Sequence, residues 1–128
     1  MLHVDLPGET FPFSQAVGSG SLLFVAGQLA SDDPDWAGPA TIEAETAAAM
    51  RRIGRVLVAG GATFADVVRV GVFMVDLQQF DRMNAVYRTY FADGQLPART
   101  CVGVSALLND ALIEIDCVAT IPTLIGAS

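Results

Sequence analysis

The sequence has no lysine, one histidine and two cysteines, and each scarcity removes a class of chemistry. Without lysine there is no Schiff-base lysine, no lysine-anchored pyridoxal phosphate and no Walker phosphate loop. The one histidine, His3, stands at the start of the chain, where a frayed end is expected, so a Ser-His-Asp triad and a multi-histidine metal site are disfavoured. Cys101 and Cys117 lack the CxxC spacing of a structural zinc site or a redox pair. Carboxylates, arginines, thiols and backbone groups remain for chemistry.

Long uncharged apolar runs are also missing. Even the apolar stretch of residues 56–75 contains Asp66 and Arg69, so no membrane-spanning segment is predicted. The first eight residues include His3 and Asp5, where a secretory signal needs a basic start and then an apolar block. The expected location is therefore the cytoplasm, with no membrane partner.

Positive charge is scarce, because 14 acidic residues face seven basic ones and the formal net charge is −7. A phosphate backbone would be repelled by this balance, so no nucleic-acid partner is predicted. Arg51, Arg52 and Arg55 lie close together in the sequence. We interpret this cluster as the solvated face of a helix rather than as a nucleic-acid patch.

The length of 128 residues fits one domain, residues 1–128, with one sizeable core. The hydrophobic fraction is 52%, which is high for a chain of this size. A small domain has too little interior to bury so much apolar surface alone. Part of that surface is therefore expected in a subunit interface.

Two segments have the apolar period of a helix. The first begins after Thr41, a capping residue, and ends at Gly60-Gly61. The second ends before Gly94. The predicted buried positions are Ile42, Ala49, Met50, Ile53 and Leu57 in the first helix, and Phe80, Met83, Tyr87 and Phe91 in the second.

Apolar and β-branched segments predict strands around these helices. They cover residues 21–29, buried on both faces with Gly27 at a bulge, then residues 67–75, 99–104 and 111–119. Residues 31–39 are dense in Asp, Pro and Gly and are predicted as a loop. The last two strands are predicted to form a hairpin through residues 105–110. The order indicates an α+β domain with two helices packed on one face of a mixed sheet.

Charged residues interrupt these last two strands, and such conflicts with burial are typical of functional positions. Strand alternation places Arg99 and Cys101 on one face of their strand and Glu114 and Asp116 on one face of theirs. A tight hairpin would place Cys101 opposite Glu114, so that a guanidinium, a thiol and a carboxylate border one site. In that arrangement Cys117, three residues beyond Glu114, faces the other side of the sheet, so no disulfide with Cys101 is expected. Two other readings stay open: Arg99 and Glu114 as a structural ion pair, and Cys101 as a small buried apolar residue.

Five motifs resemble the RidA/YjgF family of reactive intermediate deaminases, which is also described as the L-PSP endoribonuclease or translation initiation inhibitor family. They are FSQA at 13–16, LFVAGQ at 23–28, MNAVY at 83–87, PARTCV at 97–102 and LIEI at 112–115. The resemblance runs from about residue 11 to residue 119 in matching order. It implies a chorismate-mutase-like domain with a mixed six-stranded sheet and two helices. It also implies a homotrimer with three clefts between subunits.

The resemblance implies a role for several residues of this chain. The substrate-carboxylate arginine of the family falls on Arg99 and the water-positioning glutamate on Glu114. Cys101 and Asn84 match residues that line or adjoin the same cleft, as does Gly27. The implied reaction is cofactor-independent hydrolysis of enamines and imines of the 2-aminoacrylate type to 2-oxo acids and ammonium. No metal or organic cofactor is expected.

Two cleft positions depart from the family pattern. Phe13 stands where a tyrosine is usual, and Ala26 stands where a serine is usual before the Gly-Gln pair. Both changes delete a hydroxyl, and a missing hydroxyl can change substrate selectivity by orders of magnitude. The preferred imine therefore stays open.

Three alternative functions stay open at this point. The first is a protein that binds a small carboxylate or keto acid without turnover. The second is a related deaminase of a catabolic intermediate such as an aminomuconate. The third, an endoribonuclease or translation inhibitor, is disfavoured by the acidic charge and by the lack of a histidine base.

Overall fold

The computed structural model describes residues 1–122, which form a six-stranded mixed sheet with two α-helices on one face. The strands are β1 (Leu2–Val4), β2 (Ala16–Ser19), β3 (Leu22–Gln28), β4 (Val67–Met74), β5 (Ala98–Gly103) and β6 (Ile113–Thr120). The helices are α1 (Ile42–Ala59) and α2 (Phe80–Tyr87). The sheet order is β1-β2-β3-β6-β4-β5, with β4 and β5 parallel and the other pairs antiparallel. The predicted α+β class is confirmed.

Helix α1 follows the sequence prediction closely. The hydroxyl of Thr41 accepts a hydrogen bond from the backbone N–H of Ala44 at 3.2 Å, which caps the helix. The helix ends at Gly60, and Gly61 adopts the left-handed conformation that lets the chain turn back toward the sheet. All five predicted stripe residues are buried in the core. Helix α2 is shorter than predicted, because the chain tightens into a 3-10 turn at Arg88–Tyr90.

The N-terminal segment differs from its prediction. His3 does not lie in a frayed end but in strand β1, opposite Val17 of β2. Strands of three and four residues are too short to produce a readable alternation. Strand β3 was predicted to be buried on both faces, which is wrong for one chain. Leu22 and Phe24 remain 36% and 48% exposed, because nothing within residues 1–122 covers that side of the sheet.

The predicted hairpin between β5 and β6 is wrong. Strand β4 lies between them and pairs with β5 in parallel and with β6 antiparallel. Cys101 and Ile115 both lie opposite Val72, whereas Glu114 lies opposite Phe73. Cys101 is therefore not placed opposite Glu114. Alternation assigns each residue to a face of its strand, but it does not tell which strand is the neighbour.

The register assigns the two predicted catalytic residues to opposite faces, because residues directly opposite each other on paired strands point to the same side. Arg99 shares a side with Val70, which is buried under the helices. Glu114 shares a side with Phe73, on the face that the helices do not cover. The helix-covered face and the open face therefore carry different parts of the predicted site.

The two cysteines were predicted to face opposite sides of the sheet, which is wrong. Cys101 lies opposite Val72 and Cys117 opposite Val70, so both belong to the helix-covered face. Both cysteines are free in the structure.

The arginine cluster of α1 is only partly solvated, in contrast to the prediction. Arg51 and Arg55 are exposed, but Arg52 is fully buried. Its guanidinium forms an ion pair with Glu9 at 2.9 Å and donates from Nε to the side-chain oxygen of Gln28 at 3.0 Å. A buried charge persists only when it is paired and hydrogen-bonded, and both conditions hold here. In residues 1–122 no helix has the length and apolarity needed to cross a membrane.

Candidate active site

Arg99 is held at the edge strand β5 by side chains of helix α2. One guanidinium nitrogen donates to Oδ1 of Asn84 at 2.7 Å. The guanidinium carbon lies 4.7 Å from the ring centroid of Tyr87 and 5.4 Å from that of Phe80. These aromatic contacts stabilise and orient the cation. Burial raises the pKa of Tyr87 to about 12, so its ring is neutral beside Arg99.

The guanidinium of Arg99 keeps donors for a ligand. A guanidinium has five N–H donors, and the described side chains accept from one of its nitrogens. The ion pairs within residues 1–122 are Arg52 with Glu9 and Arg82 with Glu43, so Arg99 is not neutralised by a carboxylate there. A planar fork held in this way is suited to bidentate binding of a substrate carboxylate.

Cys101 follows Arg99 by two residues on β5, so both side chains lie on the same face of the strand. Its thiol is partly buried, with Sγ 3.8 Å from the sulfur of Met74. Burial raises the pKa of Cys101, and the nearby positive charge of Arg99 opposes this only in part. Because the thiolate is the nucleophilic form, these surroundings fit a packing residue better than a nucleophile.

Glu114 lies on the open face against the bulge of β3. The register of β3 and β6 shifts between Val25 and Gln28, which places Gly27 directly over the Glu114 side chain. A Cβ added at Gly27 would stand 2.8 Å from Cδ of Glu114, and closer still to one carboxylate oxygen. The glycine therefore makes room for the carboxylate, as the predicted bulge with close backbone approach required.

The surroundings of Glu114 favour its neutral form. Burial is the largest cause, and the negative charges of Asp116 and then Asp32 add to it, so the pKa of Glu114 rises above its ordinary value of 4.5. A carboxylate with a raised pKa is a stronger base toward water, and a pKa closer to neutral pH lets one group both accept and return a proton. These features fit a general acid and base.

The two positions that lack a hydroxyl, Phe13 and Ala26, lie in the segments around this bulge. Phe13 is half exposed and stacks on Phe11 with 5.2 Å between ring centroids. The N–H of Ala26 donates to the carbonyl of Gln15 at 2.9 Å, and its carbonyl accepts from the side chain of Gln28 at 3.1 Å. The backbone at Ala26 is thus fixed from both sides.

A buried polar network continues from this backbone to helix α1. The amide nitrogen of Gln28 also donates to the side-chain oxygen of Gln15 at 2.7 Å, and Gln28 accepts from Arg52. Arg52 then connects to Glu9 in the N-terminal segment. The network therefore joins the bulge, the N-terminal segment and α1 through hydrogen bonds between their side chains and backbone.

Residues 1–122 of one chain divide the predicted site into two groups. Arg99, Asn84 and Cys101 lie on the helix-covered side at the β5 edge. Glu114 and Gly27 lie on the open face, with Ala26 in the same bulge. An ion pair between Arg99 and Glu114 is excluded within one chain, because the two side chains point to opposite faces. In the same residues, no group of three His, Cys, Asp or Glu side chains is placed to hold a metal ion.

Comparison with known proteins identifies the family. The model of the endoribonuclease L-PSP family matches residues 5–121. The chain belongs to this family. It is 38% identical over 119 residues to a RutC family protein of Synechocystis, covering 91% of this chain and 92% of the relative. It is 33% identical over 114 residues to the 2-iminobutanoate/2-iminopropanoate deaminase of Mus musculus, covering 88% and 84% of the two chains.

A solved structure of the same family confirms the fold. The structure of Escherichia coli TdcF with bound serine has a TM-score of 0.85 to this chain, with 29% identity over 94% of this chain and 97% of that one. The RidA/YjgF membership and the mixed six-stranded sheet with two helices are therefore confirmed. The family includes proteins named as deaminases of reactive intermediates, among them the mouse 2-iminobutanoate/2-iminopropanoate deaminase.

The sequence analysis of this RidA/YjgF protein did not identify several residues that lie beside the site. Phe80 and Tyr87 were assigned to the core, yet both also contact Arg99. Phe80 precedes Asn84 by four residues and Tyr87 follows it by three. This spacing places both rings on the same helix face as Asn84. Arg52 was also missed, although it lies three residues after the buried Ala49 and so on the buried stripe.

Replacing Gly27 by Ala is expected to lower turnover by about tenfold or more, because the new Cβ displaces the Glu114 carboxylate and misplaced catalytic groups are costly. Steady-state kinetics on an imine substrate measures the effect. Gly71→Ala is a matched control, since a Cβ there would meet Asp116 instead. Equal losses in both variants would show that the effect is general disturbance of the sheet.

Proposed function

We propose that this protein hydrolyses imines of 2-oxo acids, and their enamine tautomers, to 2-oxo acids and ammonium. The observation that carries the proposal is the Arg99 guanidinium, fixed by Asn84 and two aromatic rings and free of an acidic partner in residues 1–122. The name of the mouse relative, a 2-iminobutanoate/2-iminopropanoate deaminase, supports the substrate class.

The site is completed, in this proposal, by a second copy of the chain in a homotrimer. Arg99 and Glu114 belong to opposite faces of one sheet, so one molecule cannot bring them to the same substrate. The open face also exposes Leu22, Phe24 and Val102, which a partner subunit would cover. A cleft between subunits then places Arg99 across from the partner subunit's Glu114.

The expected mass in solution is that of a trimer at micromolar concentration. Burial of the exposed apolar residues on the open face is the driving force. Light scattering coupled to size exclusion measures the mass. A monomeric mass would contradict both the trimer and the site that it completes.

The chemistry follows from the two groups. Arg99 holds the substrate carboxylate and places the C=N carbon in the cleft. Glu114 accepts a proton from water as the water oxygen bonds to that carbon and the C=N π electrons move to nitrogen, and it returns this proton to the nitrogen to give a carbinolamine. Glu114, again deprotonated, then accepts the hydroxyl proton and passes it to the amino nitrogen, and the C–N bond breaks as the C=O bond forms. One water is consumed, and one ammonia and one 2-oxo acid leave.

A panel of imines tests the proposal. Amino-acid oxidases generate each imine in situ, and semicarbazide traps whatever imine has not been hydrolysed. An active enzyme lowers the initial rate of semicarbazone formation and accelerates ammonia release. Absence of acceleration on every imine, together with measurable binding of 2-oxo acids by calorimetry, would favour a binding protein instead. Phe13 and Ala26 lack the hydroxyls that are usual at these positions, and this observation favours the binding protein as the second candidate function.

Arg99→Lys is expected to raise KM for carboxylate imines by about tenfold or more, because lysine keeps the charge but loses the planar fork and its bidentate geometry. Steady-state kinetics on the best imine of the panel gives the value. Arg82→Lys, at an exposed ion pair with Glu43, is the matched control and should leave KM unchanged. A wild-type KM in Arg99→Lys would mean that charge alone binds the carboxylate.

RNA cleavage, which the family name suggests, has less support in this chain. Asp116 and Asp32 add negative charge close to Glu114. The formal net charge of the chain is −7. Both features would repel an RNA backbone.

A further inference from the structure

A second arginine lines the cavity beside Arg99. The cavity has a volume of about 160 Å³ and opens between the end of α2 and the segment before β5. It is lined by Asn84, Tyr87, Arg88, Leu96, Pro97 and Arg99. Arg88 follows Asn84 by four residues, so both lie on one side of the helical segment. Both arginines therefore border one small space, together with the apolar residues Leu96 and Pro97.

Neither of these arginines has an acidic partner within the described part of the chain, where the ion pairs involve Arg52 and Arg82. The chain has only seven basic residues and a net charge of −7. Two unneutralised arginines at one cavity are therefore a local positive site on an acidic protein. Such a site attracts anions and raises their local concentration.

The cavity also limits the size of its ligand. Its volume of about 160 Å³ is below the range of roughly 300–1,000 Å³ that is typical for drug-sized ligands. The lining at Leu96 and Pro97 is apolar, which suits a short carbon chain rather than a second polar group. A small molecule with an acidic group at each end matches this arrangement.

We propose that Arg88 binds a second carboxylate, so that the preferred substrates are imines of short dicarboxylic 2-oxo acids such as iminosuccinate and 2-iminoglutarate. This inference rests on the proposed function, because Arg99 must bind the carboxylate next to the imine carbon. The carbon chain then lies along Leu96 and Pro97, and the distal carboxylate reaches Arg88. A charge-assisted hydrogen bond to that carboxylate selects dicarboxylates over monocarboxylates.

Kinetics and binding test this inference separately. D-aspartate oxidase supplies iminosuccinate and D-amino-acid oxidase supplies 2-iminopropanoate from D-alanine, each in the semicarbazide competition assay. Arg88→Gln is expected to lower kcat/KM for iminosuccinate by about tenfold or more and to leave 2-iminopropanoate within about twofold. Arg51→Gln removes the same charge from an exposed position on α1 and should change neither value. Arg88→Lys should retain part of the preference.

Binding of stable analogues gives a readout without turnover. Calorimetry of the wild-type protein should show tighter binding of succinate than of butanoate, and Arg88→Gln should abolish that difference. If succinate and butanoate bind equally to the wild type, or if Arg88→Gln keeps the difference, Arg88 is only a solvated charge at the helix end and the inference is wrong. If the binding difference holds but no imine is hydrolysed, the proposed function fails while the second anion site stands.

Discussion

Glu114→Gln is expected to lower turnover by roughly a hundredfold or more, while a carboxylate analogue still binds with nearly wild-type affinity. The amide keeps the shape of the side chain but cannot accept a proton from water. Burial and the neighbouring Asp116 and Asp32 raise the pKa of Glu114, which prepares the carboxylate for this exchange. The rate of ammonia release at saturating substrate gives kcat, and calorimetry with a 2-oxo acid gives the binding constant.

Asp116→Asn is the matched control, since it makes the same change two residues along the same strand face. It should keep most of the turnover at neutral pH. Removal of the Asp116 charge lowers the raised pKa of Glu114 toward 4.5. Because the deprotonated form of Glu114 is the active base, the acidic limb of the kcat/KM profile should move to lower pH. A move to higher pH would contradict the assignment.

The comparison must use the best imine of the panel, because Phe13 and Ala26 alter the cleft. If Glu114→Gln retains full turnover on that imine in a folded protein, Glu114 has a structural role and the mechanism proposed above is wrong. A loss of binding equal to the loss of turnover would indicate instead that Glu114 positions the substrate.

Arg52→Met is expected to destabilise the protein by about 3 kcal/mol, because removing one partner of a buried ion pair leaves the other charge uncompensated. Arg52 is fully buried, and Glu9 keeps only 16% of its side chain exposed. The substitution also removes the hydrogen-bond donor to the side-chain oxygen of Gln28. Gln28 is fully buried, so its oxygen would lose this partner without gaining solvent. Chemical denaturation of wild type and variant at equal protein concentration measures the difference.

Arg82→Met provides the matched comparison. Its ion pair with Glu43 is shorter, at 2.7 Å, but both side chains are about half exposed. Exposed ion pairs contribute little to stability, so this variant should unfold nearly like the wild type. Similar destabilisation in both variants would show that the buried network around Arg52 has no special weight. The Arg52→Met variant should also loosen the bulge at Gly27, which hydrogen exchange at its amides would report.

The two helices and most strands were predictable because their signals are local. The buried stripe of α1, the cap at Thr41 and the stop at Gly60 each depend on residues within a few positions of one another. The family motifs are also local, and they identified Arg99 and Glu114 as candidates before any contact was known. Strands β1 and β2 were missed because they are too short for a period to emerge.

The sequence by itself determined the strand faces of Arg99 and Glu114, since alternation along a strand follows from backbone geometry alone. Only the tertiary structure decided that β4 separates their strands, and so that the two residues point to opposite faces of one sheet. Strand neighbours depend on how distant segments cross, and Arg52 is buried because Glu9 and Gln28 come from other parts of the chain to pair with it. Such long-range contacts cannot be read from the sequence, because the residues next to each partner along the chain do not depend on which distant residue it contacts.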